Sequence, residues 1–148
     1  MKAKTLGLTI LLLAAVPGLS LASEKVVHLP FDSAVAAATQ SGKLDGSVKF
    51  CLAGTAPAGK LTVVNDNVDV TRKTNAFGKK DQESCDWVLQ GILISLQGDA
   101  KRVGANAVID IVSNYNNTEY RDAHDYECHR GFLMSGVALK AKFAKINP

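Results

Sequence analysis

The stretch DQESCDWVLQGILISLQGDAKRVGA, residues 81–105, decides the fold because it carries the strongest helix pattern in the sequence. Its apolar residues recur at helical spacing and form one stripe of Val88, Leu89, Ile92, Leu93, Leu96 and Ala100. We expect Asp81 to cap the first turn and Gly104 to end the helix. Gly91 and Gly98 weaken a helix, so a close packing partner is expected at both.

Strand patterns lie on both sides of this helix. Alternating or β-rich segments predict strands at 25–31, 46–54, 60–73, 105–115 and 126–143. The third strand has a break signal at 65–67, where Asn, Asp and Asn follow one another. A short helix is predicted at 32–42, with Asp32 as its cap and Gly42 as its terminator.

The order of these elements is β-α-β-β-α-β-β. Strands that neighbour each other in sequence favour antiparallel pairing, and helices with one apolar side pack on one face of such a sheet. The sequence therefore predicts an α+β domain in two layers, with a mainly antiparallel sheet and one long and one short helix packed on it.

The first 22 residues have the pattern of an export signal. Lys2 and Lys4 precede an apolar stretch at 6–19, and Ser20 and Ala22 are the small residues that a signal peptidase reads. We expect cleavage after Ala22, which leaves a single domain at residues 23–148 in the periplasm or outside the cell. No cysteine stands at the cleavage site, so no lipid anchor is expected.

The charge pattern argues against a nucleic-acid partner, and the one candidate phosphate loop argues against a nucleotide. The chain has 17 Lys and Arg against 14 Asp and Glu, and no basic run exceeds two residues. GTAPAGKL, residues 54–61, fits a phosphate-loop spacing, but Leu61 stands where magnesium needs a hydroxyl and a strand pattern follows instead of a helix. We expect neither ATP nor another cofactor.

The stretch HDYECHRG, residues 124–131, holds the candidate metal ligands His124, Cys128 and His129. In a strand, Cys128 and His129 point to opposite faces, and His124 lies ~13 Å from Cys128. The spacing matches none of the usual zinc patterns, so metal binding stands as the alternative hypothesis. No nucleophile–base pair or carboxylate dyad is visible, and we expect no enzymatic activity.

The three cysteines predict one disulfide, because cysteines of exported proteins tend to pair. Three bridges are open, each leaving one thiol over. Cys85 begins the long helix and Cys128 begins the strand expected to pack on it, which favours this pair and leaves Cys51 free. The bridge would close a loop worth ~4 kcal/mol by chain entropy. A Cys51 bridge between two chains, and hence the oligomeric state, stays open.

Three segments carry a family resemblance: KTNAF (73–77), SCDWVLQGILISLQGDAKRVGANAVIDIVSNY (84–115) and YECHRGFLMSGVALKAKF (126–143). They resemble small exported bacterial proteins, some labelled excinuclease subunit, a label that the failed phosphate loop does not support. The core is also similar to the YbjQ-like family, often described as a heavy-metal-binding domain, and to the periplasmic domain of the Rcs envelope-stress sensor lipoprotein.

The resemblance to the sensor implies a disulfide and a role. The sensor bridges a cysteine before the helix to one eight residues ahead of a strand glycine, and Cys85, Cys128 and Gly136 match these places. Ser113 and Met134 stand where its second bridge would be. The resemblance implies a YbjQ-like domain that binds or interacts in envelope stress, with an envelope protein of unknown identity as partner.

Overall fold

The chain folds into six strands and two helices, which the computed structural model describes for residues 24–147. The predicted signal at residues 1–22 lies outside the described residues. The elements are β1 Lys25–Pro30, α1 Phe31–Gln40, β2 Lys49–Leu52, β3 Lys60–Asn75, α2 Asp81–Arg102, β4 Ala107–Ser113, β5 Asp125–Arg130 and β6 Met134–Asn147. Neither helix in this part of the chain is long and apolar enough to cross a membrane.

Strand β6 organises the sheet. One of its edges pairs with β3 along the whole strand, from Asn75 opposite Met134 to Lys60 opposite Asn147. Its other edge pairs first with β5 and then with β4. β1 adds to β5, and β2 adds to β4 as the one parallel pair in residues 24–147. The result is a curled, mostly antiparallel sheet, so the predicted α+β class is confirmed.

The long helix α2 packs its predicted stripe into the core. All six residues of the stripe are buried, and they meet core residues of β6 such as Val137, Leu139 and Phe143. The short helix α1 lies against α2 and adds Phe31, Ala34 and Ala38 to the same core. Burial of these side chains, worth roughly 1.5–3 kcal/mol for each large one, is what holds the helices on the sheet.

Both predicted helix caps are wrong. α2 has Lys80 at its cap position without a side-chain hydrogen bond, and Asp81 is instead the first helical residue, where it pairs with Lys25 at 2.5 Å. In α1, the cap position falls on Pro30 and Asp32 lies inside the first turn. The helix begins this early because Phe31 is buried and its N–H donates to the carbonyl of His124.

The single final strand predicted at 126–143 is wrong, because the chain turns back within it. β5 ends at Arg130, and the Gly131 N–H donates to the Met134 carbonyl at 2.8 Å, which closes a tight turn over Phe132 and Leu133. The sequence pattern suggested that both faces of this segment are covered, but Phe132 and Leu133 are both exposed. At 65–67, by contrast, β3 does not break but shifts register in a bulge.

The start of α2 is fastened to the β5–β6 hairpin by three contacts, two of them fully buried. The structure contains the expected disulfide between Cys85 and Cys128, with 6.0 Å between their Cα atoms, and Cys51 keeps a free thiol. Beside the bridge, the Ser84 and Ser135 hydroxyls lie 2.7 Å apart. At the residue after Cys85, the Tyr126 hydroxyl donates to Asp86 at 2.5 Å, and burial raises the pKa of Tyr126 far above its usual range.

We expect reduction of the disulfide to lower the free energy of unfolding by about 2–4 kcal/mol, because the unfolded chain regains the freedom that the bridge removes. Denaturant titration of the Cys51→Ala protein with and without dithiothreitol measures this. The matched control is Cys51→Ala against wild type, both oxidised, where a much smaller change is expected. Equal stability of the oxidised and reduced forms would contradict the assignment of this contact as an anchor.

Candidate functional site

The candidate site is the face of the sheet that looks away from the helices, here called the polar face. Residues that pair in register share a face. Register therefore places His28 beside Glu127 on β1 and β5, and His129 beside Gly136 on β5 and β6. Along β3, Asp69, Thr71 and Lys73 occupy the same face. This side of the sheet consequently carries His28, Glu127 and His129 as neighbours.

The segment 114–124 crosses this face and covers part of it. The Tyr115 ring stacks on the His129 ring at 3.8 Å, and the Tyr120 ring stacks on His28 at 4.3 Å. Near the start of the segment, Asn116 and Asn117 are two consecutive residues in the left-handed conformation, where the chain turns. Asparagine tolerates this conformation better than most residues, so the turn is encoded locally.

At the centre of the covered part, two histidines bind one carboxylate. His129 Nε2 lies 2.7 Å from Glu127 Oε1, and His28 Nε2 lies 3.3 Å from Glu127 Oε2. Glu24 approaches His129 from its other side, with 3.5 Å between Nδ1 and the carboxylate. The side chains of Glu127 and His129 are only 13% and 14% exposed, so this pair is well shielded from water. We call His28, Glu127 and His129 the His–Glu–His cluster.

The structure does not bring the predicted metal ligands together. Cys128 points into the core and its sulfur is in the disulfide, while His129 lies on the polar face. His124 is exposed just before β5, and its backbone N–H donates to Asp122 at 2.7 Å. Within residues 24–147, no three side chains of His, Cys, Asp or Glu are grouped so as to hold a metal ion.

His28 is the residue that the sequence pattern failed to single out. His28 lies in a six-residue strand, and the next residue, Leu29, packs on the core. The side chain of His28 must therefore face the other side of the sheet. The spacing of Glu127 and His129, two residues apart in a strand, was the available signal that both share one face. The pairing of β1 with β5 depends on tertiary structure and could not be read from that spacing.

Two shallow grooves continue the polar face beyond the cluster. One, of about 390 Å³, is lined by Asp69, Thr71, Lys73 and residues 114–117. The other, of about 220 Å³, surrounds Asp110, whose left-handed conformation at a bulge of β4 directs it to Arg121 at 3.1 Å and Lys142 at 3.4 Å. Acidic and basic side chains are equal in number in each groove, which suits a polar ligand without a large net charge.

Cys51, the predicted free thiol, lies on β2 away from the cluster. It is half-buried, and that burial, together with nearby Asp32, raises the pKa of its thiol above the ordinary value. The reactive species of a cysteine is the thiolate, so this thiol is a weak nucleophile at neutral pH.

No family model, curated protein sequence or solved structure matches this chain. Its function is therefore inferred from its own residues and geometry.

We expect Gly136→Ala to destabilise the protein by about 1–3 kcal/mol, because a Cβ there would lie 2.9 Å from the Tyr115 ring and 3.3 Å from Lys73 Cγ. The clash would also lift Tyr115 from His129. Thermal or denaturant unfolding measures the stability, and the imidazole NMR signals of His129 report the stacking.

Gly98→Ala in α2 is the matched control. The expected packing partner is absent there, since nothing lies within 4 Å of a Cβ at Gly98, while at Gly91 only Arg72 comes within 3.6 Å. Alanine at position 98 should stabilise the helix by roughly 0.5–1 kcal/mol. Equal effects of the two substitutions would show that Tyr115 does not rest on Gly136.

Proposed function

We propose that this chain is an exported, non-enzymatic protein that acts by binding another component of the bacterial envelope, in the manner of a stress-related interaction protein. The observation that carries the proposal is an open strand edge beside a polar groove. The disulfide supports the exported location, because such bridges form and persist in oxidising compartments. The resemblance to the sensor domain points in the same direction.

The open edge belongs to β3. Its 16 residues pair with β6 on one side, and no strand within residues 24–147 pairs with the other side. Register shifts interrupt the first half of the strand, between Val63 and Val68, which is a common protection against unwanted pairing. From Val68 to Asn75 the register is unbroken, so this half offers a straight row of backbone donors and acceptors.

The groove lies directly beside that straight half. Asp69, Thr71 and Lys73 alternate along the strand and form one wall, and residues 114–117 form the other. A peptide that added to β3 as a new strand would gain backbone hydrogen bonds from the edge. Its alternate side chains would lie on the polar face beside the groove. An extended, polar segment of a protein partner fits this arrangement best.

The arrangement of the nucleophilic side chains supports the non-enzymatic part of the proposal. Cys85 and Cys128 are joined, Ser84 and Ser135 are buried against each other, and the pKa of Cys51 is raised. The two histidines nearest a carboxylate are directed at that carboxylate and not at a hydroxyl or thiol.

Site-specific photo-crosslinking in living cells tests the proposal. With the crosslinking residue at Thr71, on the straight half of β3, we expect a discrete adduct with an envelope protein. The control position is Ala36, which is exposed on α1, where no adduct is expected. Charge reversal in the groove, Asp69→Lys with Lys73→Glu, should reduce the adduct. No adduct from Thr71, or equal adducts from both positions, would contradict the proposal.

Metal binding is the second candidate. His28 and His129 direct their Nε2 atoms at the same carboxylate of Glu127, so a metal would have to separate these three side chains from one another, because in residues 24–147 they are not grouped as metal ligands. The alternative ligand set of His124, Cys128 and His129 lacks that convergence. A bound metal would need neutral imidazole ligands, so its affinity would fall as the pH is lowered.

We expect zinc, copper and nickel to bind the oxidised protein only weakly, and equally in a His124→Ala/His129→Ala variant, when measured by calorimetry. The reason is that Cys128 is consumed by the disulfide and His124 lies apart from His129. Tight one-to-one binding that this variant loses would support the metal hypothesis. A further His28→Ala variant distinguishes the ligand sets, since only a site on the His–Glu–His cluster would depend on His28.

A further inference from the structure

Four apolar side chains gather at one end of the molecule, where two turns meet. Phe77, in the turn before α2, is 60% exposed, and its ring contacts Phe132 edge to face at 5.5 Å. Phe132, Leu133 and Met134, in the β5–β6 turn, are 68%, 57% and 44% exposed. We call these four residues the apolar tip. Exposed apolar clusters of this kind mark interaction surfaces more often than single exposed residues do.

The tip is rigid because the two turns are bonded to each other. The Ala76 N–H donates to the Leu133 carbonyl at 2.7 Å. The Arg130 guanidinium lies behind the tip and donates to the carbonyls of Ala76 at 2.6 Å and Lys79 at 3.0 Å. The tip therefore presents its side chains in a fixed arrangement, and ordering them on a partner costs little conformational entropy.

The charged residues around the tip that have no ion-pair partner in the described part of the chain are basic. Asp81 is shared between Lys25 at 2.5 Å and Arg130 at 3.3 Å, so its charge is compensated. Lys79 and Lys80 are exposed beside Phe77, and within residues 24–147 no carboxylate lies within 4.0 Å of either. Glu83, one turn further along α2, is the nearest exposed acid in the sequence. A surface that is apolar at its centre and cationic at its rim complements an anionic lipid headgroup layer.

The position of the start of β1, close to the tip, supports a membrane surface as the partner. Lys25, the first residue of β1, lines a groove of about 430 Å³ together with Phe77, Arg130 and Phe132. The apolar segment predicted for export, residues 6–19, ends six residues before Lys25. Six residues span at most ~22 Å, so until cleavage after Ala22 the start of β1, and the tip beside it, would stay near the membrane surface.

We propose that the apolar tip is a membrane-docking site, which seats the domain on an anionic bilayer surface. Phe132, Leu133 and Phe77 enter the interfacial layer, where aromatic side chains partition well, and Lys79 and Lys80 contact anionic headgroups. The inference goes beyond the strand-edge binding proposed above, because it concerns a different surface and a different partner.

Co-sedimentation of the exported, processed protein with protein-free vesicles tests the proposal. We expect binding to vesicles that contain phosphatidylglycerol, and much weaker binding to vesicles of phosphatidylcholine alone. Phe132→Ser with Leu133→Ser should weaken binding to the anionic vesicles by about tenfold or more, and so should Lys79→Glu with Lys80→Glu. All four residues are exposed, so the core is untouched in both variants.

The matched control is Val63→Ser with Val64→Ser, which removes two apolar side chains of 50% and 45% exposure from the far half of β3. This variant should bind vesicles as wild type does. Equal loss in this variant, binding without lipid-charge dependence, or no binding at all would overturn the proposal. So would a dimer that only the tip variants convert to a monomer, since the tip would then bind a second copy of this chain. Binding to native envelope membranes but not to protein-free vesicles would assign the tip to a membrane protein and overturn it too.

Discussion

The disulfide between Cys85 and Cys128 is the covalent constraint that fixes where the long helix meets the sheet. It joins the first turn of α2 to β5, and the helix and the strand lie far apart in the sequence. Once α2 is fixed there, its apolar stripe covers β6, and β6 in turn organises the sheet through β3, β4 and β5. The neighbouring contact between Tyr126 and Asp86 holds the same junction by a hydrogen bond. The Tyr126 hydroxyl stays protonated because burial keeps its pKa high, so this hydrogen bond to Asp86 persists at neutral pH.

The two faces of the sheet are specialised because strand residues alternate. On the helix side, Val137 and Leu139 of β6 complete the core. On the other side, Gly136 leaves room for the Tyr115 ring, which covers the His–Glu–His cluster and removes much of it from water. The two imidazoles already contact both oxygens of the Glu127 carboxylate. The polar atoms of the cluster are therefore directed at one another, whereas the open edge of β3 leaves its backbone groups available to a partner.

Much of the fold could be predicted from the sequence because its strongest signals are local. The apolar stripe of α2 repeats over several turns. The chain has only three cysteines, and their positions relative to α2 and the strand after it favour the pair Cys85 and Cys128. The errors have local causes as well. The turn at Phe132 and Leu133 lacks the Asn, Asp or second Gly that is typical of a hairpin turn. Its apolar residues therefore favoured a continuous strand. The cluster on Glu127 was missed because His28 is brought to it by strand pairing, which no short spacing encodes.

The proposed strand edge and the proposed membrane site are compatible because of where β3 ends. Its straight half runs from Val68 to Asn75, and Asn75 pairs with Met134 at the apolar tip. A domain seated on a bilayer by the tip would therefore hold the open edge pointing away from the lipid. Eight residues of strand extend ~26 Å, so most of that edge would stand clear of the headgroups. The arrangement would leave the edge free for an extended segment of a protein that approaches from the aqueous side, while membrane attachment confines the search for it to a surface.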